Sequence, residues 1–150
     1  MSEDNPELGY QLVTGAATGM IDIVNEALDA GANIHFEDDL ALRTASLMGN
    51  APIVKLLVEK GANVNAASSE ALLYAAKSQD NDLVGFLLSK GASIDTMMRG
   101  HRREVDQTTI DTLDRHESKK LRDAFEKNFS RIQKPDTDAK FKLRKKPPSP

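Results

Sequence analysis

Gly31-Ala32-Asn33-Ile34, Gly61-Ala62-Asn63-Val64 and Gly91-Ala92-Ser93-Ile94 recur at a spacing of 30 residues. The residues ahead of them repeat in step. Ile23-Val24, Ile53-Val54 and Leu83-Val84 share one phase, and Ala27-Leu28, Leu57-Val58 and Leu87-Leu88 share another. Leu12, Leu42 and Leu72 hold a third. So many matched columns define an internal repeat, and a repeat of this length predicts a stack of small structural units.

Each unit reads as two short helices. In the middle copy Leu42 and Ala45 lie on one helical face. Gly49-Asn50 then interrupts the helix, and Pro52 suits the first turn of the next, where a missing N–H costs nothing. Ile53, Leu56 and Leu57 continue at helical spacing. Gly61 closes the unit as a left-handed cap, a conformation that penalises a Cβ. One such pair cannot bury its apolar face alone, but neighbours stacked on it can. The fold class is therefore all-α, a helix-pair solenoid.

These residues resemble the ankyrin repeat. The middle copy carries Leu42, Ala45, Gly49, Asn50, Ile53, Val54, Leu56, Leu57 and then Gly61-Ala62-Asn63-Val64-Asn65-Ala66 in the family's order. The first copy matches from Leu12 to Ile34 and the third from Leu72 to Ile94, so the likeness spans roughly 8–98. The departures are specific. The family period is about 33 residues, and the missing ones fall between Ala66 and Leu72, where the family has its β-hairpin finger. Shortened finger loops without a hairpin are expected. The family's T-P-L-H box is eroded to Leu40-Ala41-Leu42-Arg43 and Glu70-Ala71-Leu72-Leu73. A degenerate fourth copy is expected over 104–129. Ile110 would sit in the Leu72 column, after an insertion near 97–103, and Leu121, Ala124 and Phe125 would form its second-helix core. The organisation is then an extension over 1–7, repeats at about 8–36, 37–66 and 67–96, the cap to 129, and a basic, Pro-rich tail over 130–150, expected to be disordered when free.

Composition narrows the function classes. Apolar residues make up 39% and charged residues 29%, and there is neither Cys nor Trp. No apolar run approaches the roughly 20 residues that cross a bilayer, and the acidic start Met1-Ser2-Glu3-Asp4 does not resemble a secretory signal. An intracellular protein is expected, cytoplasmic by default with the nucleus as the alternative. The net charge of −3 conceals an asymmetry. Residues 1–98 hold 5 basic and 14 acidic side chains, net −9, whereas 99–150 hold 15 and 9, net +6.

Catalytic material is scarce. His35, His101 and His116 lie in separate units without metal-ligand spacing. Glu37-Asp38-Asp39 lacks the spaced oxygens of a calcium loop and reads as a solvated acidic finger. The glycines cap helices and form no phosphate loop. No enzyme activity, cofactor or metal is expected. By resemblance, a partner protein binds the concave face built from fingers and first helices. The matching positions are Leu47-Met48, Lys77-Ser78 and Arg115-His116, just ahead of each helix break, with Thr44, Tyr74 and Thr112 one turn earlier. Apolar Leu47-Met48 and aromatic Tyr74 are the expected anchors. An adaptor or inhibitor of a protein partner, basic by charge complementarity, follows. The rivals are a subunit of a larger assembly, or a nucleic-acid-associated protein using Lys142, Arg144, Lys145 and Lys146. Those residues lack an aromatic stacking platform and adjoin an acidic body, so nucleic acid is disfavoured.

Overall fold

A computed structural model describes residues 5–129. Among the described residues every regular element is helical: α1 (Pro6–Thr18), α2 (Ile21–Asp29), α3 (Phe36–Leu47), α4 (Ala51–Glu59), α5 (Ala66–Lys77), α6 (Asn81–Ser89), α7 (Ile94–Gly100) and α8 (Gln107–Phe129). The helix-pair architecture read from the repeat is the one observed. Helices α2, α4 and α6 each fold back on the preceding helix, while α1, α3, α5 and α7 pack on one another in series.

Local signals set the boundaries. Asn5 caps α1 by accepting the Glu7 N–H, with Pro6 in the first turn. Asp80 caps α6 through the Leu83 N–H at 3.0 Å, and Ser93 caps α7 through that of Thr96. Gly61 has a φ of 104°, as its capping position requires. The core is aliphatic. Leu12, Leu42 and Leu72 lie on the first helices, and Val24, Val54, Val84, Leu57 and Leu87 lie on the second, all buried. Gly9 lets α1 approach the next repeat. A Cβ there would stand 2.5 Å from the Phe36 ring.

The shortened fingers have an unexpected form. Glu37, Asp38 and Asp39 have φ of 47°, 58° and 55°, and Ala67, Ser68 and Ser69 have 48°, 59° and 59°. Three consecutive left-handed residues, none of them glycine, turn the chain into the first helix where a hairpin has no room. Such backbone costs about 1–2 kcal/mol per residue, so each turn must be held from outside. Asp38 Oδ2 accepts the Ala67 N–H at 3.0 Å, and Asp39 Oδ1 accepts the Asn63 N–H at 2.8 Å. In the next copy Asn65 Oδ1 accepts the Ser93 N–H at 2.9 Å, and its Nδ2 donates to the Gly91 carbonyl at 3.0 Å. His101 Nε2 donates to the Ala67 carbonyl at 2.8 Å.

Two expectations are corrected. The acidic finger is not simply solvated: Asp39 is only 3% exposed, because the left-handed turn folds its carboxylate onto the Asn63 backbone at the far end of its own repeat. The fourth copy also differs. Residues 97–103 are no insertion ahead of a first helix. Helix α7 packs on α5 in the first-helix series, anchored by fully buried Met97. Helix α8, capped by Asp106 through the Thr109 N–H and hydroxyl, then runs unbroken to Phe129. It buries Thr109, Thr112 and Leu113, with Ile110 only half-buried, so Thr109 faces inward in its place. The first compact unit ends within α8, at His116. The side chains of Leu121, Ala124 and Phe125 and the tail from residue 130 lie outside the described residues.

Two stability measurements check this account. Leu57 is fully buried, and Leu57→Ala is expected to cost about 2–5 kcal/mol in denaturant melts. A loss under about half a kcal/mol would mean that Leu57 is not in the core. Ala67 is half-buried at positive φ, and its N–H donates and its carbonyl accepts a hydrogen bond. Ala67→Gly is expected to raise stability by up to about 1 kcal/mol, since glycine adopts this region without strain. A lower melting midpoint would show that the turn is not strained.

Candidate partner-binding face

The outward surface of the first helices follows from what they bury. Helix α3 turns Ala41, Leu42, Ala45 and Ser46 inward. That leaves Leu40, Thr44, Leu47 and Met48 along the other side, Leu40 and Thr44 half-buried. Leu47 and Met48 are 58% and 56% exposed, although apolar. On α5 the same register brings out Tyr74, half-buried, with Lys77 and Ser78 exposed. Ser78 is partly spent locally, its Oγ donating to the Ala75 carbonyl at 3.0 Å. On α1 the row begins with Tyr10, exposed and stacked edge-on against Phe36 with ring centroids 5.0 Å apart.

Arg115 and His116 do not join this row. They lie within the unbroken α8, with no helix break after them. His116 stands against the second helix α6, where a Cβ on Gly85 would be 3.5 Å from its Cε1. Arg115 lines a shallow recess with Gln79, Asn81 and Asp111, at the turn between α5 and α6. Thr112, expected beside them on the wet face, is buried, its hydroxyl donating to the Thr108 carbonyl at 2.9 Å. The first-helix position of this repeat is taken by α7, so Arg115 and His116 of α8 fall outside the row. Lys142, Arg144, Lys145 and Lys146 lie outside the described residues.

The structure adds a network that residue types alone did not indicate. Arg43 stands where the family's box has His. Its Nε pairs with the Glu70 carboxylate of the next repeat, and its Nη1 donates to the Glu37 and Asp38 carbonyls at 3.1 and 3.3 Å. The Tyr74 hydroxyl donates to the same carboxylate at 2.7 Å. The eroded box is thus a rebuilt one, and the available signal was the opposite charge of Arg43 and Glu70 in adjacent copies. Burial alone would raise the Glu70 carboxyl, but the hydrogen bonds from Arg43 and Tyr74 outweigh it and hold the group below its ordinary 4.5. Burial, reinforced by that hydrogen bond, pushes the Tyr74 phenol up to about 12.

Among the described residues no three His, Cys, Asp or Glu side chains gather as metal ligands. No described helix is long and apolar enough to cross a membrane.

The two shifts fix a pH profile. Glu70, lowered in the fold, contributes stability that is complete above pH 4.5 and is lost as pH falls through its folded value. Tyr74, raised, contributes stability that is complete below pH 10 and is lost as pH climbs towards about 12. Glu70→Gln is expected to flatten the acid limb and Tyr74→Phe the alkaline limb. Tyrosinate absorbance in a Tyr10→Phe background reports the Tyr74 titration directly. A midpoint at 10 would show that neither the burial of Tyr74 nor its hydrogen bond to Glu70 holds in solution.

Comparison with known proteins agrees with this geometry. A search of curated proteins returned no match. The family model for ankyrin repeats, in three copies, matches residues 12–98, more than half of the chain. The phase of its glycine-capped helix pairs, the serial packing of its first helices and this match together make the chain a member of the ankyrin-repeat family, whose repeats are protein-interaction modules.

Proposed function

We propose that the protein is a non-catalytic adaptor or inhibitor that grips a protein partner through the first-helix face of its repeats. One observation carries this: Leu47 and Met48 lie adjacent at the end of α3 and expose more than half of their surface, although both are apolar. The inward side of the same helix is filled by Leu42 and Ala45, so the core does not need them. Exposed apolar side chains grouped at one place mark interaction sites, and a few such residues dominate binding energy. Thr44, Tyr74, Lys77 and Ser78 extend the face along α3 and α5. Tyr74 contributes its ring, its hydroxyl being engaged by Glu70. An intracellular setting fits such a role.

The experiment has two stages. A pull-down with and without residues 131–150 recovers the partner and shows whether the tail takes part. Calorimetry then compares the double change Leu47→Ser, Met48→Ser with Lys55→Ser. The double change is expected to cost about 1–2 kcal/mol or more of binding per residue and to leave the melting midpoint in place. Lys55 lies on α4, its ammonium 5.7 Å from the centre of the Phe86 ring. Its loss should lower stability by about 0.5–1 kcal/mol and leave binding unchanged. Normal binding by the double mutant, with loss in Lys55→Ser, would place the partner on the second helices. Early melting of the double mutant would place Leu47 and Met48 in the core.

A further inference from the structure

The large exposed apolar side chains are not spread along the stack. Tyr10, Met20, Ile21, Leu47 and Met48, between 41% and 58% exposed, all belong to the first two repeats. Met98 of α7, at 36%, is the other one among the described residues. The turn that carries Met20 and Ile21 lies beside the end of α3, because Asn50 Nδ2 donates to the Ala16 carbonyl at 2.7 Å. The charge distribution singles out the same two repeats. Residues 1–42 contain nine carboxylates and no Lys or Arg, the first basic residue being Arg43. Arg43 is itself engaged by Glu70. Among the described residues Glu7, Asp22, Glu26, Asp29 and Glu37 form no ion pair with a Lys or Arg.

We propose that the first-helix face of the first two repeats, from Tyr10 on α1 to Met48 on α3, docks a basic amphipathic helix of a partner protein. The apolar row supplies the seat, and methionine and leucine ends adapt to varied aliphatic ridges. The carboxylates around it select the charge. A helix burying its apolar stripe here would turn Lys and Arg on its flanks towards Glu7 and Glu37, which lie beside Tyr10 in the first two repeats; the Tyr10 hydroxyl is 3.4 Å from Glu37 Oε1. The other modes of peptide capture fit less well. Among the described residues there is no strand, hence no sheet edge for an added strand. Tyr10 is the one exposed aromatic of the row, too few for a polyproline groove. Uncompensated carboxylates repel anionic lipid and nucleic acid alike. The third repeat ends the seat, because its Glu70 is held by both Arg43 and the Tyr74 hydroxyl and it presents Lys77 where α3 presents Leu47.

This inference rests on the first-helix face being the binding face, and the test separates the two. The full chain is titrated by calorimetry with a synthetic Leu/Lys peptide whose leucines follow helical spacing. The comparison probes are its Leu/Glu counterpart and a Leu/Lys peptide of the same composition with scrambled spacing. Expected is binding of the first peptide alone, weakening as salt rises towards about 1 M, where the Debye length is about 3 Å. Leu47→Ser with Met48→Ser should weaken it about tenfold or more. Glu7→Gln with Glu37→Gln should weaken it several-fold at low salt only, with melting midpoints unchanged. Equal binding of the Leu/Glu or scrambled peptide, or no binding of the Leu/Lys helix, overturns the inference. If the recovered partner still depends on Leu47 and Met48 in that case, the first-helix face stands and only the partner class is wrong. If the Leu/Lys helix binds but is weakened by Asp22→Asn with Glu26→Gln on α2 and not by the first-helix changes, the face itself is wrong.

Discussion

The hydrogen bond from the Ala67 N–H to the Asp38 carboxylate, 3.0 Å long, joins the turn of one repeat to the backbone of the next. It exists because a 30-residue period leaves no room for a hairpin. The chain instead reverses through three left-handed residues, and a left-handed run of ordinary side chains does not persist by itself. Asp38, Asp39, Arg43, Asn65 and His101 all act on these turns, from within the repeat or from the one beside it. Serial packing of the first helices therefore depends on polar side chains as well as on the aliphatic core.

Much of the helical framework is legible in the amino-acid sequence. The phase of Leu42, Val54, Leu57 and Gly61 fixes two helices and a cap, since helical burial has a period and capping glycine has a conformational reason. What is not legible depends on contacts between residues distant in sequence. Asp39 reads as a surface acid until the turn folds it inward, and nothing local forecasts three consecutive positive φ values. The last repeat departs from its expected register for a related reason. Beside Leu113, its inward positions on α8 are Thr109 and Thr112, small polar residues whose hydroxyls are satisfied by a cap and a backbone carbonyl, whereas hydropathy points to Ile110. On the proposed binding face, position predicts the exposure of Leu47 and Met48, because a helix with one filled side has only one other. Arg115 and His116 miss the face because α7, and not α8, occupies the first-helix position.

Glu70 shows how one carboxylate can serve fold and surface together. It accepts from Arg43 and Tyr74, sits between consecutive repeats, and stays charged because those donors outweigh its burial. The third repeat thereby spends its polar groups internally. The first two leave their apolar and acidic groups facing outward. Along the stack, the side chains of the third repeat's Glu70 and Tyr74 already have partners, whereas Leu47, Met48 and Tyr10 of the first two are exposed.

The latches have a further consequence for how the stack comes apart. In a solenoid each unit touches only its neighbours, so stability is a sum of weak intrinsic terms and strong interfacial ones. Here the interface also fixes the backbone of the unit it joins. When α5 detaches, Asp38 loses the Ala67 N–H and Arg43, which holds the turn's carbonyls, loses the Glu70 carboxylate. The second repeat's own turn is then left with strain and fewer restraints. Fraying from one end accordingly unsettles the next unit before that unit has lost its core. The terminal repeats are coupled to the interior more tightly than apolar contact alone would make them, and a short stack of this kind behaves as a single cooperative block.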